Sequence, residues 1–258
     1  MPDYTRWNIQ RSDILFEDEW IIAIDKPQGI PSQGTLDPKR DHAFAAVQRY
    51  LKAQDPNAYA GLHHRLDALT SGVLLLSKST QANVSLSEQF QKHTIQKTYC
   101  AICQGIVSVG NSRYLQEKSS FMVDAPIGEL PGKIQRFGVD GKKRKPAKTE
   151  VVCEKSIPLR DCVVGVFRCS PLTGRTHQIR VHLASLGMGI IGDPLYGESL
   201  ARLLKPIVPN RMMLHAESLS FEHPVTHEAM TITSERPPAF VDFVRKCEKM
   251  ARALGISN

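Results

Sequence analysis

The sequence predicts an α+β fold with a mixed or mainly antiparallel sheet. Apolar runs of strand length are interspersed with helical patterns along the 258 residues, and at least six strands are expected. The sequence has no G-x-G-x-x-G loop, which disfavours a dinucleotide-binding fold. Because no change of composition divides the chain, we expect a single domain over residues 1–258.

The first elements follow from short apolar runs and helical spacing. Residues 14–36 predict two short strands and then a loop rich in proline and glycine. Residues 42–54 predict a helix, since Phe44, Val47 and Leu51 recur at helical spacing.

A polar stretch, HHRLDALTSG, leads into the next strand. Residues 73–78 predict that strand, and residues 79–93 predict a helix with Ser79 or Thr80 as its N-cap. Residues 97–109 predict a further strand, because they are rich in residues that favour strands.

The second half predicts a basic loop over 138–148 and a buried strand over 161–170. The segment TGRTHQIRVHLASLG predicts a loop entering a helix, on which His177 and Arg180 share one face. The opposite face is apolar and consists of Ile179, Leu183 and Leu186, before Gly187 ends the helix. Residues 238–254 predict an amphipathic C-terminal helix.

Composition is that of an ordinary globular protein, with 41% hydrophobic and 23% charged residues. No apolar run approaches the ~20 residues of a membrane span, and the first residues lack the apolar core of a secretion signal. Six cysteines in such a chain are typical of reduced thiols, so we expect a cytoplasmic protein. A net charge of +7 permits a polyanionic partner but does not establish one.

Two patterns suggest metal or redox chemistry, and we interpret both as structural. Cys100 and Cys103 would lie on opposite faces of a strand, and no second C-x-x-C follows. His215, His223 and His227 lack the tight spacing of a zinc site, and Pro224 interrupts any helix there. We therefore predict no metal site.

Three further motifs point to other kinds of chemistry. The stretch GVDGKKRKP lacks the spacing of a phosphate loop, and it remains open whether its basic residues contact phosphates or are only solvated. Ser71 precedes a strand where a hydrolase nucleophile would precede a helix, so we reject a serine hydrolase. Arg65 and Asp67 are compatible with a structural ion pair or with a catalytic carboxylate, and the residue types alone leave both open.

Five blocks of the sequence, in order and spanning about residues 14–224, resemble the RluA-type family of RNA pseudouridine synthases. They are ILFEDEWIIAIDKPQGIPSQ, HRLDALTSGVLLLSK, KTYCAICQG, LTGRTHQIRVHLASLGMGIIGDPLYG and LHAESLSFEHP. The resemblance implies the pseudouridine synthase fold, with a curved, mainly antiparallel mixed sheet, flanking helices and a central RNA-binding cleft.

The resemblance also implies the reaction, in which a uridine is detached at N1–C1′, rotated and rejoined through C5. It implies no cofactor and no metal. It identifies Asp67 as the essential catalytic aspartate, Tyr99 as the active-site aromatic residue and Arg180 as the basic residue of the third block, with Arg175 as second choice. Only about a dozen residues precede the first strand, so we expect no N-terminal S4-like domain.

The chemistry explains why these residue types are needed. A stacked uridine must be extruded into a pocket, and we expect Arg65 to contact RNA at the vacated position. A cation beside Asp67 would keep the carboxylate ionised when RNA excludes water, and Arg180 could bind it through two parallel hydrogen bonds. Tyr99 would stack on uracil.

We expect tRNA or rRNA as the partner of a monomer that needs no membrane. The predicted RNA-binding residues are Arg65, His64, Arg175, His177, Lys142, Lys143 and Arg144. The alternative is a non-catalytic RNA-binding protein with the same fold, but such a protein has no need for a carboxylate facing phosphates. A small-molecule hydrolase would need a second carboxylate or a metal, and the sequence offers neither at a convincing spacing.

Overall fold

A computed structural model describes residues 6–105, 116–132, 134–197 and 199–256. The chain divides into two compact units. Unit 1 lies within Met1–Lys97 and Ala216–Glu235, and unit 2 within Thr98–His215 and Arg236–Asn258.

The described residues form strands and helices that we number in chain order. The strands are β1 (Ile14–Glu17), β2 (Ile21–Lys26), β3 (Gly61–Leu62), β4 (Ser71–Ser77), β5 (Gln96–Gly105), β6 (Ser120–Asp124), β7 (Ile127–Leu130), β8 (Arg136–Gly138), β9 (Lys142–Lys145), β10 (Lys148–Pro158), β11 (Val163–Pro171), β12 (Met188–Ile190), β13 (Leu214–Glu222) and β14 (Ala229–Thr233). The α-helices are α1 (Ala43–Lys52), α2 (Thr80–Gln91), α3 (Gln178–Ser185) and α4 (Pro238–Ala253). The predicted α+β class is confirmed, and the helices predicted over 42–54, 79–93 and 238–254 are present as α1, α2 and α4.

Unit 1 is built on antiparallel strands. Strand β2 pairs with β1 and β4, and β3 also pairs with β4. Every residue of β4 is buried, which explains its unbroken apolar run. The core of the unit consists of Ile21, Ala23, Val73, Leu75, Ala82, Leu86, Ile95, Leu219, Phe221 and Ile232.

Side-chain caps fix the starts of both helices in unit 1. Ser79 Oγ accepts a hydrogen bond from the backbone N–H of Ala82 at 3.1 Å, so Ser79 is the N-cap of α2, one of the two residues predicted. His42 Nδ1 accepts from the N–H of Ala45 at 3.2 Å and caps α1 in the same way.

Unit 2 contains a second set of antiparallel strands. Strand β11 pairs with β5 and β10, and β10 pairs with β6. The strand predicted over 97–109 is present as β5, and residues 106–109 lie outside the described part of the chain. Cys100 and Cys103 lie in β5. Both are buried free thiols, and the other four cysteines, in other parts of unit 2, are buried free thiols as well.

The prediction of a basic loop over residues 138–148 is wrong. These residues form part of a small three-stranded antiparallel sheet in the order β8-β7-β9, and β9 is the run Lys142–Lys145. Gly128 and Gly141 let the strands approach, because a Cβ on Gly141 would lie 2.2 Å from the carbonyl oxygen of Gly128. An all-basic run gives no apolar alternation, so strand pairing could not be read from it.

Candidate active site

The main chain around Asp67 is fixed from both sides within unit 1. Ser32 Oγ donates to the carbonyl of Leu66 at 2.9 Å and accepts from the N–H of Leu66 at 2.8 Å. The N–H of Gly29 donates to the carbonyl of Ala68 at 2.7 Å. The residues before and after Asp67 are thus tied to the loop that follows β2, while the Asp67 side chain stays half-buried.

Lys26 supports the same loop from inside the protein. Its side chain is 0% exposed. Its Nζ donates to the carbonyls of Pro27 at 2.9 Å, Ile30 at 2.8 Å and Ala68 at 3.4 Å. A buried ammonium is tolerated only when its protons are bonded, and here backbone oxygens accept them.

Glycine is required where the Asp67 loop enters β4. Gly72 has a φ of +113°, and a Cβ there would lie 2.1 Å from the carbonyl oxygen of Ala216. Thr70 closes the preceding turn by donating its N–H to the carbonyl of Asp67 at 3.0 Å. The glycine of the T-S-G sequence is therefore explained by backbone geometry.

His64 serves the fold through one of its ring nitrogens. Its Nε2 accepts from the N–H of Leu75 at 3.0 Å, and its ring stacks on Phe90 at 4.8 Å. Burial, with a smaller effect of the Lys97 charge, lowers the pKa of His64 to about 3, so the ring is neutral. The predicted RNA contact of His64 remains a prediction.

The two neighbours of His64 differ in their surroundings, since Arg65 faces solvent and His63 contacts two serine side chains. Arg65 is exposed. His63 lies within hydrogen-bond distance of Ser87 Oγ at 3.1 Å and Ser77 Oγ at 2.9 Å. Burial lowers the pKa of His63 to about 4.

Tyr99 and Arg180 belong to unit 2. Tyr99 lies on β5 opposite Cys169 of β11 and is half-buried. Arg180 lies on α3 and is 3% exposed. Helix α3 begins after His177, whose left-handed φ of 57° turns the chain into the helix.

The bidentate partner of Arg180 in unit 2 is Asp193, which the sequence analysis missed. Arg180 Nε donates to Asp193 Oδ2 at 2.7 Å and Nη2 donates to Oδ1 at 2.8 Å. Burial alone would raise the pKa of Asp193, but the hydrogen bond and charge of Arg180, with the N–H groups of Leu195 and Tyr196, hold that pKa below its usual value. Asp193 lies in the GDPLYG segment, so its place in a recognised block was the available signal.

Tyr196 connects Arg180 with His177. The Arg180 guanidinium lies 5.1 Å from the centre of the Tyr196 ring. His177 Nδ1 lies 2.9 Å from the Tyr196 hydroxyl, which also accepts from the N–H of Phe137 at 2.9 Å. The shared helix face predicted for His177 and Arg180 is wrong, because His177 precedes α3 as its N-cap; Tyr196 nevertheless contacts both side chains.

Arg175 is anchored elsewhere in unit 2. Its Nε donates to the carbonyl of Pro146 at 2.9 Å, and its N–H donates to Gln178 Oε1 at 3.0 Å. Arg175 thus connects Gln178, the first residue of α3, through its backbone and Pro146, the residue after β9, through its side chain. Lys142, Lys143 and Arg144 on β9 are all exposed.

The histidines considered as metal ligands serve separate elements. His223 lies 2.9 Å from Asp18 through Nε2, and His227 lies 2.7 Å from Glu222 through Nδ1. Within the described ranges, no three His, Cys, Asp or Glu side chains come together as a metal site requires. In the same residues no helix is both long and apolar enough to cross a membrane.

Comparison with known proteins identifies the family. The profile described as RNA pseudouridylate synthase matches residues 20–185, which is more than half of the chain. The chain belongs to the RNA pseudouridylate synthase family. This assignment confirms the predicted enzyme class, an RNA pseudouridine synthase, and the matched residues include Asp67, Tyr99 and Arg180.

Curated relatives of this family cover most of the chain. The dual-specificity RNA pseudouridine synthase RluA of Vibrio vulnificus is 33% identical over 84% of this chain and 80% of its own length. The tRNA pseudouridine synthase C of Yersinia pestis is 33% identical over 86% of this chain and 85% of its own. The ribosomal large subunit pseudouridine synthase D of Zymomonas mobilis is 32% identical over 87% of this chain and 69% of its own length.

Solved structures share the fold of this family. The structure titled Human RNA Pseudouridylate Synthase Domain Containing 4 has a TM-score of 0.70 and 23% identity, and covers 92% of this chain and 93% of its own. The structure titled Human RNA Pseudouridylate Synthase Domain Containing 1 has a TM-score of 0.66 and 24% identity, with 95% of each chain covered. The pseudouridine synthase fold predicted from the five blocks is confirmed.

Proposed function

We propose that this RNA pseudouridine synthase isomerises uridines of tRNA or rRNA, with Asp67 as its essential carboxylate. The observation that carries the proposal is the fixation of the Asp67 main chain by Ser32, Gly29 and Lys26. Catalysis needs a reacting group held in one geometry, and a loop tied down on both sides of one half-buried carboxylate supplies that.

The reaction requires one bond to break and another to form. The N1–C1′ bond of uridine is cleaved, uracil turns, and C5 bonds to C1′; the proton on C5 leaves and N1 gains one. Asp67 acts in its ionised form, either as the nucleophile at C1′ or as a base on the sugar. Both roles need the same charge state.

Arg180 is the basic residue that we assign to the catalytic set. Its Nε and Nη2 engage Asp193, which fixes the guanidinium plane within unit 2. A fixed cation needs no reorganisation when charge changes in the reaction. Arg175 stays the second choice, and its bond to Pro146 gives it a structural task as well.

Tyr99 stacks on the extruded uracil through its ring. A tyrosine hydroxyl in water keeps its proton at neutral pH and is then a poor base, so stacking is the role we propose first. Arg65, which is exposed at the edge of the Asp67 loop, contacts RNA where the base has left the stack.

Phosphate contacts come from the exposed basic strand β9, through Lys142, Lys143 and Arg144. Arg175, His177 and His64 complete the proposed RNA-binding set. We further propose a monomeric, single-domain enzyme of the cytoplasm that needs no cofactor; six free buried cysteines support a reducing compartment.

The names of the relatives support the choice of substrates, since they include a tRNA enzyme, rRNA enzymes and one of dual specificity. Tritium release from RNA labelled at uracil C5 tests the proposal, with bulk tRNA and rRNA offered separately. We expect release by the wild type from at least one pool and none by Asp67→Asn. Equal release by both proteins would show that another group is the catalytic carboxylate.

A further inference from the structure

Tyr196 stands between the small basic sheet β8-β7-β9 and the catalytic arginine proposed above, all within unit 2. Its ring faces the Arg180 guanidinium at 5.1 Å, and its hydroxyl accepts the backbone N–H of Phe137, a residue of β8. One side chain therefore touches both the cation and the sheet.

The hydroxyl of Tyr196 has two hydrogen-bond partners. Because it accepts from the Phe137 N–H, its own proton can be donated to His177 Nδ1, 2.9 Å away. His177 in turn packs edge-on against Phe137 at 5.8 Å, with ring planes at 89°. Tyr196, His177 and Phe137 thus form a closed triangle of contacts in which moving one member disturbs the other two.

The backbone of Tyr196 is tied to the partner of Arg180. Asp193 Oδ1 accepts the N–H of Leu195 at 2.9 Å and of Tyr196 at 3.2 Å, while both Asp193 oxygens bind Arg180. The Asp193 carboxylate therefore sets the position of the guanidinium and of the ring beneath it together.

The sheet on the other side of Tyr196 carries the exposed basic run of β9. Packing joins it to the same helix as Arg180, since Val181 of α3 forms a small core with Ile127 and Ala147, against which Phe137 and Tyr196 pack. RNA phosphates would therefore bind to a sheet that contacts Tyr196 through a hydrogen bond and α3 through apolar packing.

We propose that Tyr196 is a positioning residue that couples RNA bound on the β8-β7-β9 sheet to the orientation of Arg180. The ring fixes the plane of the guanidinium. The hydroxyl is bonded to β8, so a shift of β8 moves the ring. This inference rests on the proposed function, because it needs Arg180 to act on the reaction and β9 to bind RNA.

A double-mutant cycle tests the coupling. Tyr196→Phe keeps the ring and removes the hydroxyl, whereas Tyr196→Leu removes both. Each is combined with the triple change Lys142→Gln, Lys143→Gln and Arg144→Gln, and kcat is measured at saturating RNA. Tyr59→Phe, at a more exposed tyrosine of unit 1, is the matched control.

We expect Tyr196→Leu to lower kcat by about tenfold to a hundredfold, as displacement of an oriented group does, with a smaller change in KM. Tyr196→Phe should restore part of that loss. The β9 change should lower kcat less in the Tyr196→Phe background than in the wild type, with non-additivity of at least about threefold. If Tyr196→Leu fails to fold, the Tyr196→Phe cycle carries the test.

Strict additivity in the cycle, or wild-type kcat in Tyr196→Phe and Tyr196→Leu, would overturn the coupling. Failure of the proposed function is a separate outcome: Asp67→Asn, run in the same assay, would then remain active. An inactive Asp67→Asn together with an additive cycle rejects the coupling between β9 and Arg180 and leaves the proposed function standing.

Discussion

Arg180 and Asp193 form a buried ion pair with two parallel hydrogen bonds, Nε to Oδ2 at 2.7 Å and Nη2 to Oδ1 at 2.8 Å. The Arg180 and Asp193 side chains are 3% and 0% exposed, respectively. Water cannot readily solvate the buried charge that remains when one partner is removed, so substitution of either residue should strongly lower the stability of the protein.

Asp193→Asn should destabilise the protein and slow catalysis together. The change removes the carboxylate charge that two hydrogen bonds hold against buried Arg180, which costs on the order of 3 kcal/mol in the free energy of unfolding. Urea denaturation measures this loss, and kcat at saturating RNA measures the effect on the site. Asp242→Asn breaks the exposed pair with Arg245 on α4 and should change stability by less than about 0.5 kcal/mol. Equal effects of the two variants would contradict the assigned importance of Asp193.

Ser32→Ala should impair turnover more than RNA affinity. The change leaves the N–H and carbonyl of buried Leu66 without their side-chain partner, at about 1–3 kcal/mol of stability, and loosens the chain beside Asp67. Kinetics and RNA binding on the same preparation separate the two effects. Gln33→Ala, at the exposed neighbouring position, should behave as wild type. A Ser32→Ala protein with wild-type kcat would show that the clamp has no part in catalysis.

Some of this architecture could be predicted from sequence and some could not, for identifiable reasons. The helices α2 and α4 were predicted because a cap residue and an apolar stripe are local signals. Strand β9 was missed because it packs few side chains and pairs through its backbone. Ser32 and Asp193 were missed as supporting residues, because their partners lie 34 and 13 positions away in the chain and no spacing rule connects them.

Neutralising β9 should weaken RNA binding in a salt-dependent way. Every phosphate that the protein no longer neutralises reduces the slope of log K against log salt by about 0.7–0.9, so Lys142→Gln with Lys143→Gln should reduce the slope by up to about 1.8. Binding titrations across a range of KCl concentrations give the slope. Lys246→Gln with Lys249→Gln removes the same charge from exposed positions on α4 and should leave the slope nearly unchanged. An identical reduction in both double variants would indicate a general charge effect rather than RNA binding at β9.

Acid should destabilise unit 1 through two of its histidines, His63 and His64. Burial lowers the pKa of His63 to about 4 and of His64 to about 3, from the ordinary value of 6.5. Between pH 6.5 and these values the unfolded chain binds protons that the folded chain does not, so the free energy of unfolding falls as pH falls through that window.

Replacing one of these histidines should make the pH dependence shallower. His63→Gln removes one titrating group, which reduces the slope by up to about 1.4 kcal/mol per pH unit within the window. Urea unfolding at pH 4.5, 5.5 and 6.5 provides the comparison. His93→Asn changes an exposed histidine and should keep the wild-type slope. A His63→Gln slope identical to that of the wild type would mean that His63 is not the group responsible.

A single-turnover assay of uridine conversion by Asp67→Asn tests directly whether Asp67 is the essential carboxylate. RNA affinity is measured on the same protein. Asp55→Asn, at an exposed aspartate of unit 1, is the control for loss of one negative charge. We expect Asp67→Asn to bind the RNA as tightly as the wild type and to form no pseudouridine, while Asp55→Asn converts it at the wild-type rate. Pseudouridine formed by Asp67→Asn at a rate near that of the wild type would contradict the assignment of Asp67.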